Sequence, residues 1–129
     1  MTRIAPLVLV ALILAACGQS SAAIFTKQAT EACLQQKNVH VGPVSNATDF
    51  VASTATGGAF RATLSDNFVT ISFGLTLVDA TNIDQAYEQF HAKNVGLPDV
   101  LRTENNAVML WHQHPSDTDL ALVTGCLKK

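Results

Sequence analysis

The chain has 129 residues, 48% of them hydrophobic and 14% charged, with eight Lys/Arg against ten Asp/Glu and a formal charge of −2 at pH 7. That length accommodates one domain with a modest core. Cations this few, adjacent only at Lys128-Lys129, exclude a nucleic-acid groove, a polyphosphate channel and an anionic-lipid patch.

Met1-Thr2-Arg3 is a short cationic start, Ile4 to Leu14 an apolar run interrupted only by Pro6, and Leu14-Ala15-Ala16-Cys17 brings small residues up to a cysteine. About eleven apolar residues fall short of the ~20 that a helix needs to cross a hydrocarbon core, yet they fit the apolar region of a secretory signal. The stretch resembles the signal of bacterial lipoprotein precursors, whose Leu-small-small-Cys lipobox is matched by Leu14, Ala15, Ala16 and Cys17. The resemblance covers this leader only, and it implies that residues 1–16 are cleaved and that Cys17 is acylated as the mature N-terminus. It further implies a domain anchored by lipid on the extracytoplasmic side of a bacterial cell membrane or envelope. Gly18 stands where an Asp would mark inner-membrane retention, so the same resemblance permits outer-membrane sorting. The alternative is an ordinary signal peptide with Cys17 incidental, or an uncleaved buried helix. Residues 17–24 are then the lipidated cysteine and a short small-residue tether, and 25–129 a single small α+β domain with a charge of about −3 once Arg3 is removed.

With Cys17 taken by lipid, Cys33 and Cys126 remain as an even pair in a compartment that permits disulfides, and they are expected to bond to each other. Free thiols or metal ligands are the competing possibility, but no Cys or His stands at a ligand spacing such as C-x-x-C.

Ile24 to Lys37 carries Phe25, Ala29, Ala32 and Cys33 at helical spacing, with Thr26 as a cap. Val39, Val41 and Pro43-Val44 read as a short extended piece that the proline makes an edge strand or merely a loop entry, and His40 there reads as a partly exposed strand residue. Ser45 to Gly58 reads as the main loop. Gly57-Gly58 lacks the Gly-Lys-Ser/Thr continuation of a phosphate loop, and Asn46-Ala47-Thr48 is a formal glycosylation triplet that a bacterial leader makes irrelevant. Phe60 to Leu64 and Val69 to Phe73 alternate as two strands about the Ser65-Asp66-Asn67 turn. Thr81 and Asp84 form a capping-box spacing ahead of Ile83, Ala86, Tyr87 and Phe90 at i, i+3, i+4, i+7, a helix that Asn94, Gly96 and Pro98 stop. Asn105-Asn106, both tolerant of positive φ, join Val100–Glu104 to Ala107–Gln113 as a hairpin. Val108 to Trp111 is apolar on both faces, which predicts a central strand covered on its second side. Ser116 and Asp119 cap a last helix with Leu120, Val123 and Leu127 on one side and Cys126 near it.

These elements predict an α+β fold, with an antiparallel sheet of four or five strands and three helices mainly on one face. The first and last helices are joined by the disulfide. Val69, Ile71, Phe73 and Leu110 are expected beneath the helices, with Thr63, Thr70 and Ser72 on the other face. Ferredoxin-like packing is one arrangement that fits.

Three functional classes follow. The first is a non-enzymatic envelope lipoprotein that binds an unknown protein or small ligand and needs no cofactor, with Trp111 either core or the centre of a contact patch. The second is a metal-binding lipoprotein in which His112 and His114, at i, i+2 on an extended segment, hold a divalent ion with a third ligand such as His40, His91 or a nearby carboxylate. The third is a hydrolase-like enzyme, for which no Gly-x-Ser-x-Gly, His-Glu-x-x-His or paired-carboxylate pattern is present.

Overall fold

The structure, a computed structural model, describes residues 22–90 and 96–129, so the leader with Cys17, and also His91, lie outside the described residues. Helix α1 (Lys27–Gln36) starts as expected at Thr26, whose Oγ1 accepts from the Ala29 amide at 3.4 Å and occupies one of the free donors of the first turn. Strand β1 (His40–Pro43) pairs only with the next strand, as a proline-bearing edge should. The following stretch is not all loop, because Asp49 Oδ1 accepts from the Ala52 amide at 2.9 Å and starts a one-turn helix, α2 (Phe50–Ser53). A single turn is too short to leave a periodic pattern. Strands β2 (Ala59–Thr63) and β3 (Phe68–Phe73) then pair antiparallel with Ala62 opposite Val69.

Helix α3 (Leu77–Phe90) begins one turn before the expected Thr81 cap. Thr76 and Asp79 make the capping box instead: Thr76 Oγ1 accepts from the Asp79 amide at 3.1 Å and Asp79 Oδ2 from the Thr76 amide at 3.2 Å. The same spacing occurs at both places. The first also ties down the preceding loop, since Asp79 Oδ2 accepts from the Leu75 amide and the Thr56 hydroxyl, and Thr81 is left inside the helix donating to Leu77 O.

Gly96, at φ 57°, turns the chain through the left-handed region into a short helix, α4 (Leu97–Val100), with Pro98 in its first turn. Strands β4 (Leu101–Glu104) and β5 (Ala107–Trp111) form the expected hairpin. Only Asn105 of its two asparagines has positive φ. Asn106 is fully buried: its Oδ1 accepts from the Phe25 amide at 2.7 Å, and its Nδ2 donates to Phe25 O at 2.8 Å and Gly74 O at 2.7 Å. Helix α5 (Asp117–Gly125) starts at Ser116, whose Oγ accepts from the Asp119 amide at 3.1 Å.

The five strands lie in the order β1-β2-β3-β5-β4, every neighbouring pair antiparallel. Strands β3 and β4, joined through α3, lie on either side of antiparallel β5 as one split βαβ unit. But β1, β2 and β3 are successive antiparallel neighbours, so the second such unit of ferredoxin-like packing is absent from this sheet. One face, with Phe60, Ala62, Val69, Ile71, Phe73, Met109 and Trp111, packs on Leu34 of α1 and Val123 of α5. The Cys33–Cys126 disulfide joins these two elements with Cα atoms 5.4 Å apart, and the Thr26 amide donates to Lys128 O at 2.7 Å beside it. Trp111 is 2% exposed, so it belongs to this core and is not an exposed contact patch. Register decides this: Val69 faces Trp111 and Thr70 faces Leu110, so Leu110 points to the opposite side from the one expected. There α2 and α3 bury Val51, Ala80, Ile83 and Tyr87 over Val108. Helices therefore cover both faces, and the described residues hold five of them, the two short ones in addition to the three expected. Among the described residues no helix is long and apolar enough to cross a membrane.

Candidate functional site

Alternation along β2, β3 and β5 sends Arg61, Phe68, Thr70, Leu110 and then His112 to the α3 side of the sheet. Helix α3 packs on β3, β4 and β5, and α2, which touches β2 and β3, is only one turn long, so the part of this face around Arg61 and Phe68 is left open. There the side chains stack. Phe68 lies on the strand between β2 and β5; the Arg61 guanidinium carbon is 4.3 Å from its ring centroid and the His112 ring 4.4 Å, with the planes 15° apart. Arg61 is half-buried, makes no salt bridge among the described residues, and its Nε is buried without a hydrogen-bond partner. A guanidinium spread on an aromatic face keeps its in-plane donors available to a carboxylate-like anion.

This stack walls a cleft of about 320 Å³ whose lining includes Thr48, Asp49, Thr70 and Leu110. Through Thr48, Asp49 and Leu110 the cleft continues into a second hollow of about 220 Å³ under Phe50, Tyr87 and Phe90. Together they reach the size of small-molecule sites. Asp49 stands at the junction with both oxygens engaged, Oδ1 on the α2 cap and Oδ2 accepting the Tyr87 hydroxyl at 2.8 Å. Burial, and after it the Asp49 carboxylate, pushes the Tyr87 phenol well above the usual tyrosine range, so it stays a neutral donor. Phe50 and Phe90 meet edge to face at 6.3 Å and are 57% and 64% exposed, forming an apolar rim.

His112 and His114 do not converge. The His112 amide still donates to Phe68 O at 2.9 Å, but Asn67 then holds the chain through Gln113, donating from Nδ2 to its carbonyl at 2.9 Å and accepting its amide at 3.2 Å. Strand geometry ends there, and with it the rule that i and i+2 share a face. His114 Nδ1 instead lies 2.7 Å from Asp99 Oδ1 at the exposed surface, and among the described residues no group of three His, Cys, Asp or Glu is placed to hold a metal ion. His40 is exposed on β1 opposite Thr63.

Arg61, Phe68, Asp49 and Tyr87 were not singled out by sequence as site residues. Alternation shows Arg61 leaving the first core face, but its meeting with Phe68 needs the β2–β3 register. No protein-family model, no curated protein and no solved structure matches this chain.

Proposed function

We propose that this chain is a lipid-anchored envelope lipoprotein, acylated at Cys17, whose disulfide-stapled domain is a non-enzymatic binding module for a small ligand with a planar anionic group. The anchor half of the proposal rests on Leu14-Ala15-Ala16-Cys17. The ligand half is carried by Arg61, half-buried over Phe68 and without a salt bridge among the described residues, at a cleft whose one carboxylate, Asp49, is engaged by the Ala52 amide and the Tyr87 hydroxyl. Partial desolvation of an unpaired cation costs free energy that an incoming anion offsets. A carboxylate on Arg61 would leave the rest of the ligand along Leu110 and the Phe50–Phe90 rim. Binding without turnover is favoured because no histidine among the described residues hydrogen-bonds a serine or cysteine, the imidazole contact being His114 to Asp99, and because both Asp49 oxygens are already engaged.

Two measurements test the halves separately. Intact mass of the protein extracted from its own membrane reads acyl groups on Cys17. Benzoate titration of the same full chain in detergent, followed by NMR, should shift the Arg61 Nε and His112 ring signals saturably. The His112 shift should vanish in Arg61→Ala while the emission of buried Trp111 is unchanged. A titration without saturable shifts at these two residues would discard the cleft as the ligand site.

A further inference from the structure

Three apolar side chains at the start of α3 do nothing for the fold. Leu75 and Val78 are 66% and 69% exposed and Leu77 is 43% exposed, whereas the helix packs inward through Ala80, Ile83 and Tyr87. Nor are they slack, because the Thr76–Asp79 box and the Asp79 contact to the Leu75 amide hold the turn that presents them. The chain also enters the domain here. Asn106 Nδ2 donates to both Gly74 O and Phe25 O, so the backbone at Phe25 runs within two hydrogen-bond lengths of Gly74, and Asn105 Nδ2 holds Ala23 O at 3.0 Å. Ile24 is itself 39% exposed. From Cys17 to Ala23 the covalent chain spans six residues, at most about 20 Å when fully extended.

We infer that this pole, formed by Ile24, Leu75, Leu77 and Val78, rests on the phospholipid surface that holds the acyl chain. The inference depends on the lipid-anchored reading above, and it adds which face of the domain meets the bilayer and by what chemistry. An acyl chain and an apolar patch together give the two signals that stable attachment requires. The contact is apolar: Lys27, the nearby cation of α1, is paired to Glu31 at 3.1 Å, and Asp79 puts a carboxylate in the loop itself. Anionic headgroups therefore contribute little. Helix α3 is about 20 Å long, and the Phe50–Phe90 rim of the cleft lies at its other end, clear of the surface that its first turn touches.

The acylated full chain, incorporated into vesicles of phosphatidylcholine with brominated acyl chains, tests this through Leu75→Trp, Val78→Trp and Phe50→Trp, with intact mass taken on every sample. All three positions are exposed, so folding is undisturbed, and buried Trp111 gives a common background. Leu75→Trp and Val78→Trp should lose most of their added emission and Phe50→Trp should keep it. Partial replacement by phosphatidylglycerol or added salt should change neither result. Equal, unquenched emission from all three in acylated protein would overturn the docking and leave the anchor intact. A crosslinked dimer with Leu75→Trp unquenched would overturn it too, by giving the patch to a second copy. Absence of acyl mass on Cys17 would remove the anchor and the docking together.

Discussion

The two faces of this sheet are finished differently, although the same three strands supply most of both. On the side of α1 and α5, thirteen buried residues among those described form one apolar layer, stapled by Cys33–Cys126. On the side of α2 and α3 the buried cluster has five of the described residues, and past it the surface turns to Arg61, Phe68 and His112 around an open cleft. Because β-strand side chains alternate, each strand can serve stability with one set and binding with the other. The contrast therefore separates residues whose loss unfolds the domain from residues whose loss only empties the cleft.

Removing the disulfide is the hardest test of the closed face. Cys33→Ser with Cys126→Ser frees a loop between residues 93 positions apart, and a loss of about 4–5 kcal/mol is expected in denaturant unfolding. Trp111→Ala should cost about 3–5 kcal/mol by leaving a cavity beside Val69 and Met109. Its Nε1 has no hydrogen-bond partner, so Trp111→Phe forfeits volume but no polar contact, and it should be much milder in the same assay.

Tyr87 lies on the boundary between the two regimes. Tyr87→Phe should lose about 1–2 kcal/mol at neutral pH with the bond to Asp49. The pH dependence has a definite sign. The phenol ionises near pH ~10 in the unfolded chain and well above that in the fold, so above pH ~10 the native state holds a proton that the unfolded state has released. Stability is fully present below that value and falls as pH rises, and the fall should disappear in Tyr87→Phe. Tyr87 is the single tyrosine of the chain, so phenolate absorbance reports it alone; ionisation at the ordinary value in folded protein would contradict its burial.

The smallest stability change is expected on the open face. Arg61→Ala should cost less than about 1 kcal/mol, the size of an exposed cation–π contact, while abolishing the benzoate response. A large destabilisation there would erase the distinction between the faces and make Arg61 a structural residue.

Local chemistry made much of the fold legible. Thr26 and Ser116 act as the expected caps, the alternation of Phe60–Leu64 and Val69–Phe73 gives two paired strands, and the even cysteine pair bonds. Errors arose where two local solutions were equally good, as with the repeated Thr-x-x-Asp spacing at Thr76 and Thr81, or where an element was a single turn, as in α2. The candidate site was less legible still. Its outward residues are visible in the alternation, but Arg61, Phe68 and His112 come from three strands and become neighbours only through register.

By itself the sequence determined the α+β class, the strand and helix types of the longer segments, the disulfide partners and the expectation of a lipid-anchored start. Those depend on periodicity, capping and parity, each read within a few residues or from a count. Tertiary structure decided the strand order, the burial of Trp111 with Leu110 on the opposite face, the separation of His112 from His114, and the meeting of Arg61 with Phe68. It also brought the backbone of Phe25 beside that of Gly74 through Asn106. The placing of Trp111 and Leu110 and the meeting of Arg61 with Phe68 depend on which residue lies opposite which across the sheet, where a shift of one position exchanges the two faces. The separation of the two histidines and the approach of Phe25 to Gly74 depend on side-chain bonds between segments far apart in sequence, those of Asn67 and Asn106.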